Sequence, residues 1–514
     1  MPSQYFRTKS IDRLLADSED PRFRLRKTLG PWSLTALGIG AIVGAGIFIL
    51  TGTAAAGESL SFHSILKAPL LAVLMHGEHA MGTAGRPGAG PAIAVSFLLV
   101  AVVCALAGLC YAELASMIPI AGSAYTYTYA TLGEIIAWII GWDLILEYAV
   151  SNMAVAVGYS AYVDSLLQSF GIYLPRQFMN PIIMGGHWTG AYFNVPGFLI
   201  VMILTVVLVI GIRESAAANN AMVAVKIIAI LVFIAWAAPH VKVSNWKPFM
   251  PNGWQGVLTG GAIVFFTYIG FDSVSTAAEE CKNPQKDVPF GIIASLIAAA
   301  TLYIGVAIVL TGIQKWPSLR NAAPVANALH AIGLVTVERW VVIGALMGMT
   351  SSLLVFQLGQ ARVWFSMSRD GLLPRVFSSV HKRFRTPHVS TWVAGFFVAL
   401  PAGVFDIGAL ADLSNIGTLF AFILVALGVL VLRRKQPDRR RGFRVPWVPV
   451  LPIVSILFCL LLMVSLPVET WLRFVIWLAI GLVIYFTYSR HRTEFGKARQ
   501  SAAAAAQIKT GGGL

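Results

Sequence analysis

The sequence contains few charged residues for its length. Only 12% of its 514 residues are Asp, Glu, Lys or Arg, whereas 57% are hydrophobic, and the mean hydropathy is +0.74. A water-soluble globule of this size could not cover its surface with so few charges. The composition therefore excludes an ordinary soluble protein and predicts an all-α polytopic membrane protein surrounded by lipid bilayer.

Cysteine is also scarce, and the sequence has no arrangement typical of a metal or catalytic site. The four cysteines are scattered without metal-ligand spacing: Cys104, Cys110, Cys281 and Cys459. We therefore predict no disulfide, no metal and no cofactor. No Ser/His or His-cluster constellation appears among the apolar runs, which argues against an intramembrane enzyme. No small-residue cleavage site follows the first apolar run, so this run should be retained rather than removed as a secretory signal.

Long apolar runs predict twelve transmembrane helices, called spans 1 to 12. Their ranges are 32–54, 90–114, 132–167, 195–213, 219–239, 256–280, 288–313, 338–367, 388–405, 408–433, 447–466 and 470–489. With loops assigned alternately to the two sides, 28 Lys and Arg residues fall on the side of both termini and nine on the other. The positive-inside rule then makes both termini cytoplasmic.

This topology organises the chain into one transporter domain with two cytoplasmic ends. The domain covers residues 31–490, the N-terminal segment covers 1–30, and the tail at 491–514 is expected to be disordered. The basic run at 433–444 lies in a short loop between spans, where topology charges belong, so we expect no nucleic-acid partner. With no room for a large soluble domain, a sensor that binds a nutrient without moving it is disfavoured.

An insertion at 58–88 separates spans 1 and 2 on the outer side. Its apolar part at 65–75 is too short to span and is interpreted as a helix lying on the surface. Three histidines, His63, His76 and His79, lack convincing metal spacing and are interpreted as part of a solvated loop. Because the insertion carries no intramembrane polar group, we expect deletion of residues 62–85 to be tolerated.

Glycines interrupt spans 1 and 6. The first interruption is GIGAIVGAGIFILT at 38–51, and the second, at 260–277, contains Gly270 and Asp272. In a bilayer, unpaired backbone groups are tolerated only where protein or a water-filled cavity surrounds them. Two broken helices, one in each half of the chain, predict a transporter with inverted repeats and a site near the middle of the membrane.

The two breaks together suit a zwitterion. Gly44, Ala45 and Gly46 should leave free amides at the start of the second half of span 1, where the helix dipole also favours an anion. Carbonyl groups freed in both breaks would accept from an ammonium group. The alternative for span 1 is a small-residue packing face, which Gly40 and Gly44 also satisfy.

Several ionisable residues lie inside spans. Lys226 is about seven residues, or roughly 10 Å, inside span 5, too deep for simple snorkelling, so it needs a partner or loses its proton. Asp143 and Glu147 lie one turn apart on one face of span 3 and could either bind a proton or hold a neighbouring helix. Asp412 on span 10 is equally open to both interpretations.

Five sequence blocks carry a family resemblance. They are GIGAIVGAGIF and the segments 110–134, 141–158, 265–289 and 366–374 (SMSRDGLLP). In this order they resemble the cationic amino acid transporter branch of the amino acid-polyamine-organocation superfamily, over residues 29–490. The resemblance implies a LeuT-type fold, with spans 1–5 and 6–10 as inverted repeats, spans 1 and 6 broken, and spans 11 and 12 peripheral.

The resemblance also implies the substrate site and the coupling ion. Residues at the two breaks and on span 8 would bind the amino acid: Ile42, Gly44, Ala45, Gly46, Phe266, Ile269, Asp272 and Phe356. Lys226 matches a lysine that stands where sodium-coupled relatives hold an ion, so the coupling ion would be a proton. A monomer in the cell inner membrane is expected, and a small accessory membrane peptide is compatible with it.

The side chain at position 356 bears on substrate choice. Relatives that accept arginine tend to have a smaller residue there than Phe356. We therefore predict proton-coupled uptake of small or medium neutral L-amino acids by alternating access, with Asp272 capping the second half of span 6; in the alternative, Asp272 turns inward and provides a counter-charge for a cationic side chain. The alternatives are a cationic amino acid transporter for Arg or Lys and an amino acid exchanger.

Overall fold

The computed structural model describes residues 6–19, 27–58, 65–76, 86–184, 187–321, 323–405 and 407–493. These residues form a mostly helical structure. The predicted disordered tail, from residue 494 onward, and the insertion histidines His63 and His79 lie outside them.

Nineteen α-helices occur in the described residues. In chain order they are α1 Ile11–Ser18, α2 Pro31–Ile42, α3 Thr51–Ala56, α4 Leu70–His76, α5 Ile93–Met117, α6 Ala124–Thr131, α7 Glu134–Ser169, α8 Val195–Ile210, α9 Ile212–Ala237, α10 Gly253–Val264, α11 Ser273–Thr276, α12 Pro284–Ile313, α13 Pro324–Ala331, α14 Val335–Arg369, α15 His388–Ala402, α16 Ile407–Lys435, α17 Val450–Val464, α18 Val468–Ile484 and α19 Arg490–Arg492. Two short antiparallel pairs join them, β1 Gly57–Glu58 with β2 Arg86–Pro87, and β3 Ile183–Met184 with β4 His187–Trp188.

Many of these helices are suited to a membrane. Within the described residues, eight stretches are long and apolar enough to cross one: Pro31–Ala56, Gly90–Met117, Asn219–His240, Gly253–Thr276, Pro284–Ile313, Val335–Arg369, Leu410–Lys435 and Val468–Ser489. Three shorter apolar helices, α8, α15 and α17, and the 36-residue α7 accompany them. Each of these twelve elements overlaps one predicted span, and their lengths and composition agree with a polytopic membrane protein.

Both predicted interruptions are present. The first apolar stretch runs from α2 through Val43 to Ala45, continues as a π-helical turn at Gly46–Leu50, and ends with α3. The stretch Gly253–Thr276, which corresponds to predicted span 6, runs from α10 through a 3₁₀ turn at Phe265–Tyr268 to α11. We call these interruptions break 1 and break 2.

The remaining helices surround the two broken stretches in pairs. Helix α5 packs along α12, α7 along α14, and α8 along α15, while α2 lies against α9 and α14. Their facing sides form one continuous buried core that includes Phe97, Tyr268 and Tyr303. The broken stretches are almost completely enclosed, with 94% of the residues buried in the most apolar window of each.

The described ends of the chain meet at one end of the molecule, which we call the terminal end. The backbone N–H of Glu134 donates to the carbonyl oxygen of Arg7 at 3.1 Å, and the Thr493 hydroxyl lies 3.4 Å from the Glu134 carboxylate. Two buried ion pairs also lie here, Arg362 with Glu280 at 2.6 Å and Arg369 with Glu279 at 3.0 Å. The opposite end, which carries β1 and β2, is the distal end.

Some elements were not predicted from the sequence. Helices α6 and α13 are short segments of eight residues each, below the length that a membrane span requires. The predicted surface helix in the insertion is present as a 3₁₀ turn at Ile65–Lys67 followed by α4. The insertion is anchored, since Lys67 forms an ion pair of 2.5 Å with Glu469.

Candidate functional site

Break 1 and break 2 lie against each other at the centre of the helix bundle. A Cβ atom added to Gly46 would lie 2.8 Å from the Cα of Thr267, and one added to Gly270 would lie 2.6 Å from the Cβ of Ala41. Gly270 also has a φ of +122°, a backbone conformation that favours glycine. Glycine is therefore required at both positions, because a side chain at either one would overlap the other broken stretch. The two stretches run side by side in opposite directions.

Tyr303 on α12 joins the two breaks. Its hydroxyl lies 2.8 Å from the carbonyl oxygen of Ile42 in break 1 and 2.8 Å from that of Thr267 in break 2. Its side chain is completely buried. A single buried hydroxyl thus bonds to backbone groups of both interruptions, and neither interruption can change its conformation without affecting this contact.

Serines on α14 satisfy further carbonyl groups of break 1. The Ser352 hydroxyl lies 2.7 Å from the carbonyl oxygen of Gly40 and 3.0 Å from that of Ala41, while the Ser351 hydroxyl lies 3.0 Å from Gly40. A Cβ atom on Gly44 would lie 2.4 Å from the Ser352 hydroxyl. These contacts pack α14 against the backbone of break 1.

One detail of the predicted anion site is wrong. The Gly44 amide is not free, because it donates to the carbonyl oxygen of Ile42 at 3.0 Å. The next residue, Ala45, does begin a helical stretch, with φ −57° and ψ −30°, and Gly46 opens the π-helical turn. The start of the second half of the broken stretch therefore lies one residue later than the sequence suggested.

Lys226 on α9 reaches break 1 from the other side. Its side chain is fully buried, and Nζ donates to the carbonyl oxygens of Gly40 at 2.9 Å and Val43 at 2.8 Å and to the Ser351 hydroxyl at 3.0 Å. An ammonium group has three donors, and these three acceptors satisfy all of them. Within the described residues no carboxylate forms an ion pair with Lys226, so its hydrogen-bond partners are all uncharged groups.

Asp272 lies at the N-cap position of α11 in break 2, but its side chain makes no capping hydrogen bond. The carboxylate instead accepts a short hydrogen bond at Oδ2 from the hydroxyl of Tyr148 on α7. The capping role predicted for Asp272 is therefore not observed. Both side chains are buried, and the pair connects break 2 to α7.

Phe356 on α14 lies next to this pair. It is 2% exposed, and its ring centroid is 6.4 Å from that of Tyr148. One turn earlier on the same helix, Ser352 contacts break 1, and one turn later a Cβ on Gly359 would lie 3.4 Å from the Tyr148 ring. The same face of α14 therefore contacts break 1 at Ser352 and the Tyr148 side chain at Gly359, and Phe356 lies between these two positions on the helix.

Asp143 and Glu147 lie on α7, Glu147 directly before Tyr148 and Asp143 one turn earlier. Both are buried, at 1% and 2% exposure, and neither carboxylate has a hydrogen-bond partner among the described residues. Asp143 points at α16, where a Cβ on Gly417 would lie 2.7 Å from its Oδ1. A charged carboxylate without a partner is costly in such surroundings.

The structure brings the predicted substrate residues together in one enclosed region. Those with side chains are between 0% and 4% exposed: Ile42, Ala45, Phe266, Ile269, Asp272 and Phe356. Sequence reasoning missed Tyr148, Tyr303, Ser351 and Ser352, which bond to the breaks from other helices. The sequence signal for Tyr148 was its position directly after the intramembrane acid Glu147. For Ser351 and Ser352 the one signal was a pair of polar residues within an apolar span.

Comparisons with known proteins identify the relatives of this chain. Residues 29–487 match the family model described as amino acid permease. The branched-chain amino acid permease BcaP of Bacillus subtilis (strain 168) is 46% identical, over 97% of this chain and 100% of that protein. The methylthioribose transporter of the same organism is 44% identical, over 96% and 100%. The chloroplastic cationic amino acid transporter 9 of Arabidopsis thaliana is 32% identical, over 91% and 89%.

These matches cover nearly the whole chain and both breaks. They confirm the resemblance to the amino acid-polyamine-organocation superfamily that the five sequence blocks carried. They also identify the molecule as a multi-pass membrane transporter and not an enzyme. The chain belongs to the amino acid permease family.

Proposed function

We propose that the protein imports small or medium neutral L-amino acids, including branched-chain ones, together with a proton. The observation that carries this proposal is the meeting of two broken helices, with an ammonium group bonded to break 1 and an aromatic wall beside break 2. The carboxylate of the substrate binds at Ala45 and Gly46. The ammonium group of the substrate binds to backbone carbonyl groups near Ile42, Phe266 and Ile269.

The proposed architecture is a LeuT-type fold of twelve transmembrane helices with a 5+5 inverted repeat. Two observations support it. Each half begins with a broken stretch, and the third helices, α7 and α14, have 36 and 35 residues while the fourth, α8 and α15, have 16 and 15. Corresponding helices of the two halves also pack against each other, α5 with α12, α7 with α14 and α8 with α15.

The proposed mechanism is alternating access coupled to Lys226. With the site buried and ion pairs at both ends of the molecule, substrate reaches it only when one end opens. Protonated Lys226 ties α9 to break 1 through two carbonyl groups. When the ammonium loses its proton it loses charge-assisted hydrogen bonds, which loosens this tie and permits the return step.

The apolar wall favours a neutral side chain. Phe356, Phe266 and Ile269 supply it, and a guanidinium or ammonium placed there would lose hydration. Asp272 is the nearby acid, and it already accepts from Tyr148. The name of the relative with 46% identity agrees with an apolar substrate. Transport of Arg or Lys, as the name of the plant relative suggests for that protein, remains the alternative to test.

The proposed setting is the bacterial inner membrane, with both termini in the cytoplasm and the protein acting as a monomer. The described ends of the chain lie together at the terminal end, as an even number of spans requires. Basic residues are concentrated on the same side of the predicted topology. We assign the terminal end to the cytoplasm and the distal end to the outside.

Ligand stabilisation of the purified protein tests the substrate. A ligand that binds the folded state raises the unfolding temperature, and the stabilisation grows with the logarithm of the ratio of ligand concentration to Kd. The panel contains all common amino acids together with methylthioribose, which has neither a carboxylate nor an ammonium group. We expect Leu, Ile, Val and Ala to stabilise the protein more than Arg or Lys. Stabilisation by methylthioribose alone would contradict the zwitterion site.

Uptake into reconstituted vesicles tests the coupling. An inward proton gradient, with no amino acid inside, should drive accumulation of the best-stabilising substrate, and a proton carrier should abolish it. An exchanger would need internal amino acid and would ignore the gradient. Dependence on sodium would contradict the assignment of the proton to Lys226.

A further inference from the structure

Arg86 is a buried arginine at the distal end that none of the site chemistry explains. It begins β2 and is 6% exposed. Its Nε donates to Glu58 Oε2 at 2.6 Å, and its Nη1 donates to Asp412 Oδ1 at 2.9 Å. A buried guanidinium is tolerated only when it is paired, and here two carboxylates pair with it.

The two partners of Arg86 belong to different parts of the molecule. Glu58 follows α3 and is the strand partner of Arg86 in the β1–β2 pair. The same unit includes the ends of both broken stretches, because Ala89 donates to the carbonyl oxygen of Ala54 at 2.9 Å and Asn252 donates to that of Gly88 at 2.7 Å. Asp412 lies on α16, which packs against α7.

The insertion before Arg86 is anchored on a third part. Besides the Lys67–Glu469 ion pair, Leu70 donates to the carbonyl oxygen of Leu466 at 2.9 Å, and Val468 donates to that of Ala68 at 3.1 Å. These contacts attach the insertion to the connection between α17 and α18. From this anchor the chain returns to the distal ends of the broken stretches at Arg86.

We propose that the Arg86–Asp412 ion pair is a latch that closes the site toward the distal end and must separate before substrate enters from that end. The proposal rests on the alternating-access function above. The latch joins the distal ends of the broken stretches to α16, and a path to the breaks requires these parts to move apart. Arg86 keeps Glu58 as a partner when the latch opens, so opening never leaves the guanidinium unpaired.

Reversible cross-linking tests the latch. Arg86→Cys combined with Asp412→Cys is treated with a short bifunctional thiol reagent that a reductant cleaves. The matched control is Arg86→Cys with Glu58→Cys, which links two strand partners within the unit that moves together. The wild-type protein, whose four cysteines are buried, controls for the reagent.

We expect the 86–412 link to reduce uptake at least tenfold, with recovery after reduction, and the 86–58 link to leave uptake within twofold of its reduced form. Equal uptake by the linked and reduced 86–412 protein would overturn the latch while leaving the transport function intact. If reduced and wild-type proteins transport no amino acid, the proposed function itself is wrong.

A single substitution keeps the proposal testable if the double variants do not fold. Asp412→Asn weakens the latch but leaves Arg86 paired with Glu58, and Glu469→Gln, at the insertion anchor, is its control. Favouring the open distal end should lower the KM for external substrate several-fold in Asp412→Asn and leave it unchanged in Glu469→Gln. An unchanged or raised KM in Asp412→Asn would contradict the latch.

Discussion

Break 1 and break 2 both interrupt a helix inside the membrane, but the ionisable groups beside them have opposite charge types, a lysine at break 1 and an aspartate at break 2. At break 1 the backbone groups without a partner inside the helix are carbonyl oxygens, and they accept hydrogen bonds from Lys226 on α9, Tyr303 on α12 and two serines on α14. At break 2 the prominent group is the Asp272 carboxylate, which receives the Tyr148 hydroxyl. One interruption is stabilised by a buried cation and the other carries a buried acid.

This difference separates two tasks. A cation held only by neutral carbonyl and hydroxyl groups changes its bonding strongly when its proton leaves, so break 1 is suited to coupling. At break 2 an apolar wall stands beside a fixed hydrogen-bonded pair, so this break is suited to selecting the side chain of the substrate. Substitutions at break 1 should therefore affect proton coupling, and substitutions at break 2 should affect stability and substrate choice.

Removing the cation should disable break 1. Lys226→Ala deletes all three bonds to Gly40, Val43 and Ser351 and should abolish uptake driven by a proton gradient, while part of the substrate stabilisation measured by thermal unfolding remains. Lys242→Ala, in the loop after α9, is the matched control and should transport normally. Uptake in Lys226→Ala with the proton dependence of wild type would refute the coupling role of break 1.

Removing the donor at break 2 should destabilise the protein more than it affects coupling. Tyr148→Phe leaves the buried Asp272 carboxylate without its partner, and a lost hydrogen bond to a charged group costs about 1.5–3 kcal/mol. We expect a lower unfolding temperature with retained proton dependence. Tyr159→Phe, on a half-buried position of the same helix, should change the unfolding temperature less. Loss of proton dependence in Tyr148→Phe would assign coupling to break 2 as well.

Opening the wall beside break 2 should change substrate choice. Phe356→Ser frees volume next to Tyr148 and should raise binding of Arg or Lys relative to Ala by about 1 kcal/mol or more, measured by thermal stabilisation. Phe396→Ser, at an exposed position on α15, should leave the ranking unchanged. A wild-type protein that already binds Arg or Lys more tightly than neutral amino acids would contradict this view, and Asp272→Asn would then identify the counter-charge.

Deleting residues 62–85 should have the smallest effect, because both breaks and Arg86 remain. The deletion removes Lys67 and its partly exposed ion pair with Glu469, and such pairs contribute about 0–1 kcal/mol. We expect normal membrane insertion and uptake within about twofold of wild type. Glu469→Gln should reproduce any residual change. If the deleted protein fails to enter the membrane, the contacts that anchor residues 65–76 are essential.

Much of the helix pattern could be predicted from the sequence because it depends on local composition. Twenty or so apolar residues must form a helix in a bilayer, so each predicted range overlaps a helical element of the structure, and eight of these elements are long and apolar enough to cross a membrane within the described residues. The breaks were predicted for the same reason, since glycines at 38–51 and at Gly270 weaken a helix wherever it lies. Lys226 was identified as a residue that needs hydrogen-bond partners, because an ammonium group at that depth in the membrane is costly in any fold.

Contacts between distant residues could not be predicted in this way. Arg86 and Asp412 are 326 positions apart, and no local pattern connects them. Asp272 was expected to form an N-cap because that partner is always nearby, whereas its actual partner, Tyr148, comes from a helix more than a hundred residues earlier. The short helices α6 and α13 were missed because their length and composition do not distinguish them from loops.

The length of α14 connects break 1 to the ion pairs at the terminal end. Ser352 touches break 1, and Arg369, at the other end of the same uninterrupted helix, is paired with Glu279 at 3.0 Å. At a rise of about 1.5 Å per residue these positions are about 25 Å apart, so a tilt of about 10° around Ser352 moves Arg369 by about 4 Å. A displacement of that size separates the ion pair, whereas Phe356, only four residues from Ser352, moves by about 1 Å in the same tilt, so a small adjustment beside the breaks is magnified at the terminal end.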